Sequence, residues 1–132
     1  MEGERPGRVD ILIVDDDPNA RAIHAEWLEH TGYNALEASS GQEGFRIACE
    51  ARPALILVDL KMPGMDGWAL LERLRADSRT RSARIVALTI IGPGEDRRDP
   101  VRRGFDEHWV KPISHIALVT GVERLVGGRK MP

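Results

Sequence analysis

The stretch ALILVDLKMPGMDG, residues 54–67, runs from an unbroken apolar series into an aspartate, Asp59, then through a Pro/Gly-rich turn to Asp66. Apolar residues at successive positions mark a strand buried on both faces, because a half-exposed strand alternates. A carboxylate at the end of such a strand adds nothing to a core and is costly to desolvate. It makes sense where the strand delivers a reactive group to one end of a sheet.

The flanking sequence repeats the pattern. VDILIV (9–14) is a second buried run and stops at Asp15, Asp16 and Asp17; YNALEA (33–38) is a weaker strand, RIVALTI (84–90) a strong one, and DEHWVK (106–111) the last. Between them lie helices with readable ends. Asp17 followed by Pro18 reads as an N-cap with proline at the first helical position, and Gly32 closes that helix. Ala20, Ile23, Trp27 and Leu28 are expected on its buried face. Ser40 and Glu43 have capping-box spacing and open a helix that ends before Pro53. Asp66 caps DGWALLERLRAD, with Leu70, Leu71 and Leu74 as its apolar stripe, and Ser114 caps HIALVTGVERLV. Five strands alternating with helices predict an α/β fold, a flavodoxin-like doubly wound parallel sheet of (βα)5 type with strand order 2-1-3-4-5. Residues 1–8 read as a flexible polar lead, 9–126 as the domain and 127–132 as a tail.

Bulk properties exclude several classes. The chain has 132 residues, is 42% hydrophobic and 30% charged, and carries a formal net charge of -2. That is an ordinary globular composition, with no general case for nucleic-acid or membrane binding. A single cysteine, Cys49, forms no internal disulfide, so a reducing cytoplasm is expected. Cys49 and the tryptophans Trp27 and Trp68 read as packing residues; His24, His30 and His115 read as surface residues.

Under the predicted order the strand ends assemble one site. The first strand ends in Asp15 and Asp16, the third in Asp59, the fourth in Thr89 and the fifth in Lys111. Adjacent strands lie roughly 4.8 Å apart, so these groups meet where ligands bind in open α/β sheets. Close carboxylates repel, so at neutral pH either one takes up a proton or a cation neutralises them, and an all-oxygen site of this kind suits Mg²⁺. A carboxylate beside a hydroxyl and an ammonium suits phosphoryl transfer by in-line attack.

Four stretches, ILIVDDDP (11–18), LILVDLKMPGMDG (55–67), VALT (86–89) and WVKPI (109–113), resemble the CheY-like receiver domain of two-component response regulators. The resemblance implies Asp59 as phosphoacceptor, with Mg²⁺ (or Mn²⁺) held by Asp15, Asp16, Asp59 and the Lys61 backbone carbonyl. It implies that Thr89 and Lys111 bind the phosphoryl group and that the bond before Pro112 is a cis candidate. The expected donor is a sensor histidine kinase or histidine phosphotransfer protein. The chain is then a phosphoacceptor catalysing its own phosphorylation and slow dephosphorylation rather than an enzyme acting on other substrates. Output passes to a downstream protein through the face built by the fourth and fifth strands and the helices after them. A monomer or weak dimer is expected, with no nucleic-acid or membrane partner, since the tail beyond Val126 is too short for a DNA-binding domain unless the chain is part of a longer regulator. Two alternatives stand beside this: a docking module that is never phosphorylated, and a dehalogenase-type phosphatase using Asp15 and Asp17.

Three positions depart from the family pattern. Ile90 follows Thr89 where a small residue is usual, which predicts restricted access of water or small donors. His108 occupies the place of the usual switching aromatic, and an imidazole there carries a charge that depends on pH; alternatively it is an exposed strand residue. In GPGEDRRDPVRRG (92–104), Pro93, Gly94 and Pro100 oppose a long fourth helix, while Arg97, Arg98, Arg102 and Arg103 make the segment basic.

Overall fold

The computed structural model describes residues 7–90 and 98–129. Five strands, β1 (Asp10–Val14), β2 (Asn34–Ala38), β3 (Leu55–Asp59), β4 (Arg84–Thr89) and β5 (Glu107–Val110), form one parallel sheet in the order β2-β1-β3-β4-β5. Helices α1 (Pro18–His30), α2 (Gly41–Ala51), α3 (Gly67–Ala76), α4 (Pro100–Arg103) and α5 (His115–Val126) connect and follow them. The expected fold and strand order are what the chain adopts.

Why β3 reads as a continuous apolar run is now plain, because every one of its positions is buried. On one face Ile56 and Val58 pack with Leu12, Val14, Ile85 and Ala87 beneath Ala48, Leu70, Leu71 and Leu74 of α2 and α3. On the other, Leu55 and Leu57 join Ile11, Ile13 and Val86 beneath Leu28 of α1 and Leu118, Val122 and Val126 of α5. Four helix starts are capped as their sequences indicate. The side chains of Asp17, Ser40, Asp66 and Ser114 accept from the backbone N–H of Asn19, Glu43, Ala69 and Ala117, each cap contributing about 1 kcal/mol. At α2 the reciprocal half of the box is displaced by one residue: Glu43 Oε1 accepts from the N–H of Ser39 at 2.7 Å.

Several expectations need correction. Ile23 is exposed, whereas His24 is buried at 6% exposure and is no surface residue. The reason is spacing: His24 precedes Leu28 by four positions and so shares the buried stripe of α1 with it. His30 and His115 are exposed. As expected, Pro100 opposes a long fourth helix: the described α4 is a single turn that starts at Pro100, with Asp99 as cap. Pro93, Gly94 and Arg97 lie outside the described residues.

Gly67 ties the sheet to α3. Its N–H donates to the Leu60 carbonyl at 3.1 Å, and a Cβ there would sit 2.6 Å from the Asp59 carbonyl oxygen and 2.7 Å from Leu60 Cα. Both obstacles are backbone, so neither can swing aside. Gly67→Ala is therefore expected to destabilise the chain by about 1–3 kcal/mol, read from urea unfolding. An unchanged midpoint would show that α3 does not seat on the end of β3.

Candidate functional site

Register alone brings the first acidic residues together. Val14 pairs with Val58 across β1 and β3, so the next residues, Asp15 and Asp59, emerge side by side at the carboxyl ends of their strands. This is also where the chain reverses direction across the sheet, turning to β2 on one side and β4 on the other, which opens a crevice.

Asp15 is almost fully buried and held at several points. Its N–H donates to the Ala38 carbonyl, its Oδ1 accepts from the N–H of Asp17 at 2.9 Å, and its Oδ2 accepts from Lys111 Nζ at 2.6 Å. Lys111 Nζ is 3.6 Å from Asp59 Oδ2, and Asp59 Oδ1 accepts from the N–H of Lys61 at 3.1 Å. Asp16 is exposed. One carboxylate oxygen from each of Asp15, Asp16 and Asp59 lies within 4.8 Å of the others. At an effective dielectric of about 20, unit charges that far apart repel by about 3 kcal/mol per pair.

The protonation balance follows. Burial pushes the Asp59 carboxyl up, Lys111 pulls it down, and Asp15 and Asp16 push it up again; the outcome is a rise from 3.8 to about 6. For Lys111, burial alone would lower the ammonium, but its contacts with Asp15 and Asp59 prevail and hold it above its ordinary value. One ammonium among three carboxylates leaves excess negative charge. The donor set is entirely oxygen, with Asp16 open to solvent, and this fits a hard divalent cation. The Lys61 carbonyl belongs to the turn that donates to Asp59.

Thr89 and His108 form a second pair. His108 pairs in register with Ala87, two residues before Thr89, so both stand on the same face of the sheet. Thr89 Oγ1 and His108 Nε2 are each buried, and neither has a hydrogen-bond partner among the described residues. His108 is thus half-buried with its tip directed inward, rather than an exposed strand residue. The Thr89 carbonyl accepts from the N–H of Lys111 at 2.8 Å, and the Lys111–Pro112 peptide is cis. Ile90 is 65% exposed, immediately beyond Thr89. Asp17 is exposed, and one oxygen of its carboxylate caps α1 by accepting from the N–H of Asn19.

Three neighbours of the site, His24, Arg21 and Glu37, lie outside the strand-end set to which the sequence points. His24, with its Nδ1 buried and unpartnered among the described residues, packs at a tilt against Trp27 at 5.5 Å, and Trp27 meets His115 edge-on at 5.2 Å. Burial lowers the His24 imidazole, as does nearby Lys111. Arg21 and Glu37 form an ion pair at the other flank. In the sequence Arg21 is one of many surface-type charges, and only its contacts single it out.

Known proteins resemble this chain over most of its length. Residues 11–123 match the family model described as the response regulator receiver domain. The chain is 34% identical over 116 residues to the DNA-binding dual master transcriptional regulator RpaA of Synechocystis, covering 88% of this chain and 48% of that protein. It is 37% identical over 117 residues to the transcriptional regulatory protein SrrA of Staphylococcus aureus, covering 89% of this chain and 47% of SrrA. It therefore spans about half the length of either regulator. Among solved structures, the receiver domain of the sensor histidine kinase PA1611 from Pseudomonas aeruginosa, with magnesium coordinated in its active site cleft, superposes with a TM-score of 0.84 at 28% identity, covering 91% of this chain and 98% of that one. Chemotaxis protein CheY4 of Vibrio cholerae superposes at 0.82 with 27% identity, covering 89% and 98%.

The raised Asp59 carboxyl has a consequence for metal-free protein. The folded state holds this proton more tightly than the unfolded chain. Its contribution to stability is fully present below 3.8 and is lost as pH rises through about 6. In EDTA, Asp59→Asn should therefore melt higher than wild type at pH 7.5, with the gap closing toward pH 4. Parallel melting curves across that range would contradict it.

Proposed function

Because the chain belongs to the receiver-domain family of response regulators, we propose that it accepts a phosphoryl group on Asp59 and relays that event to a partner protein. The observation that supports this most strongly is the convergence of Asp59, Asp15, Asp16 and Lys111 in one crevice. An Asp59 oxygen attacks phosphorus in line; a phosphorus–oxygen bond forms, and the bond to the donor breaks. With a phosphohistidine donor, the departing imidazole nitrogen keeps the electron pair. Lys111 stands 3.6 Å from Asp59 Oδ2 and offers its ammonium to a phosphoryl oxygen. The N–H of Lys61 holds the other carboxylate oxygen in place. Asp15, Asp16 and Asp59, with the Lys61 carbonyl, would hold Mg²⁺ or Mn²⁺, which supplies further positive charge to the transferring group when bound.

The donor class is a sensor histidine kinase or histidine phosphotransfer protein in a bacterial-type cytoplasmic pathway. Among the described residues no helix is long and apolar enough to cross a membrane. Activation follows from the orphaned polar pair. A buried hydroxyl without a partner costs about 1–3 kcal/mol, and a phosphoryl oxygen on Asp59 gives Thr89 an acceptor. Movement of Thr89 opens space on the face it shares with His108, so the imidazole repacks and the β4–α4–β5–α5 face shifts between two arrangements. Self-catalysed loss of the group is slow, because Asp59 is 8% exposed and Ile90 flanks the hydroxyl.

Incubation with acetyl phosphate and Mg²⁺, followed by intact mass measurement, is expected to show one added phosphoryl group. The addition should be absent in Asp59→Asn and in EDTA, and Ile90→Ala should label faster. Labelling that persists in Asp59→Asn would place the acceptor elsewhere. No labelling of wild type or Ile90→Ala, even from a phosphorylated histidine donor, would leave a docking module.

A further inference from the structure

Arg21 supports the acidic crevice from outside it. It lies near the start of α1, and its guanidinium reaches back over the loop. Nη1 donates to the carbonyl oxygen of Asp15 at 2.7 Å, while Nε donates to Glu37 Oε1 at 3.1 Å. The Arg21 side chain is only 18% exposed, and Glu37 is fixed on β2 opposite Ile13. The peptide groups on both sides of Asp15 are consequently anchored, its N–H to Ala38 on β2 and its C=O to Arg21.

Charge alone gives Arg21 the wrong sign for this place. A guanidinium beside Asp15 and Asp16 competes with any divalent cation they hold. Glu37 offsets that charge, which leaves the hydrogen bond to Asp15 as the useful part of the contact. Without it, the carbonyl side of Asp15 loses its anchor, so the Asp15–Asp16 segment shifts more readily to relieve the repulsion between carboxylates, and an ion would have to draw them back.

We infer that Arg21, balanced by Glu37, is a positioning residue that holds Asp15 ready for a divalent cation and so strengthens cation binding despite its own positive charge. The inference rests on the reading of the acidic cluster as a divalent-cation site. Partners that orient metal-binding groups from outside are commonly worth about 10–100-fold in affinity.

Mn²⁺ binding to the whole chain, followed by the electron paramagnetic resonance of the free ion, tests it. Arg21→Ala is expected to bind Mn²⁺ about tenfold more weakly than wild type. Saturating Mg²⁺ should bring its labelling by acetyl phosphate back toward the wild-type rate, a recovery that loss of fold would not allow. Arg21→Lys, which keeps the charge but not the fork that spans Asp15 and Glu37, should also bind weakly, and it answers the question if Arg21→Ala does not fold. Equal or tighter binding by Arg21→Ala overturns the inference, because the guanidinium then acts through charge alone. Wild-type affinity in Arg21→Lys overturns it too. Absence of Mn²⁺ binding by the wild type removes the divalent-cation reading itself, and this inference with it.

Discussion

Three carboxylates that repel one another are held within reach by the β1–β3 register, and most of the chain's local chemistry serves to keep them there. Asp15 and Asp59 leave adjacent strands at the same level. Side chains packed on both faces of these strands hold the register, since a shift by one residue would swap every side chain to the opposite core and undo its packing. Gly67 lets α3 close against the carbonyl of Asp59, and Asp17 begins α1 immediately beyond the acidic pair. Lys111 arrives from β5, two strands away from β3, and neutralises only part of the charge. The fold thus stores an electrostatic tension at one end of a rigid sheet.

That tension gives the site its directionality. A group carrying positive charge is drawn in, and the buried carboxylate that remains is oriented by a backbone N–H and flanked by an ammonium. On the proposed reading, added phosphoryl oxygens exchange one imbalance for another and meet Thr89 on the neighbouring strand, whose hydroxyl has no partner among the described residues. Strand β5 then connects the site to α5, where Gly121 lets the helix approach the Trp109 indole so closely that a Cβ would lie 2.5 Å from the ring. Glu107 joins this packing by accepting from Trp109 Nε1 and pairing with Arg124. A displacement at the end of β5 therefore has a stiff route to the surface of α5.

Much of this architecture is legible in the amino-acid sequence, for identifiable reasons. Buried strands, caps and strand-end carboxylates follow rules of spacing, so strand order alone brings Asp15, Asp16, Asp59 and Lys111 together. His24 is misleading because polarity argues for the surface, while its position four residues ahead of Leu28 places it on the buried stripe. Pro100 opposes a long fourth helix, as its ring dictates, and Asp99 is the cap that lets it start a single turn. Arg21 and Glu37 are hidden for another reason. Their pairing joins residues 16 apart through a side-chain fork, and nothing in local pattern distinguishes such a pair from solvated surface charge. The inward tip of His108 likewise depends on packing that register suggests but does not dictate.

The most direct test of the crowded-carboxylate site is the titration of Asp59 itself, followed at its side-chain carboxyl carbon by ¹³C NMR in metal-free protein and again with Mg²⁺. Burial of Asp59, with Asp15 and Asp16 beside it, predicts a midpoint near 6 without metal and a marked fall when Mg²⁺ is added. A midpoint near the ordinary 3.8, unmoved by Mg²⁺, would mean that the three carboxylates do not share a site.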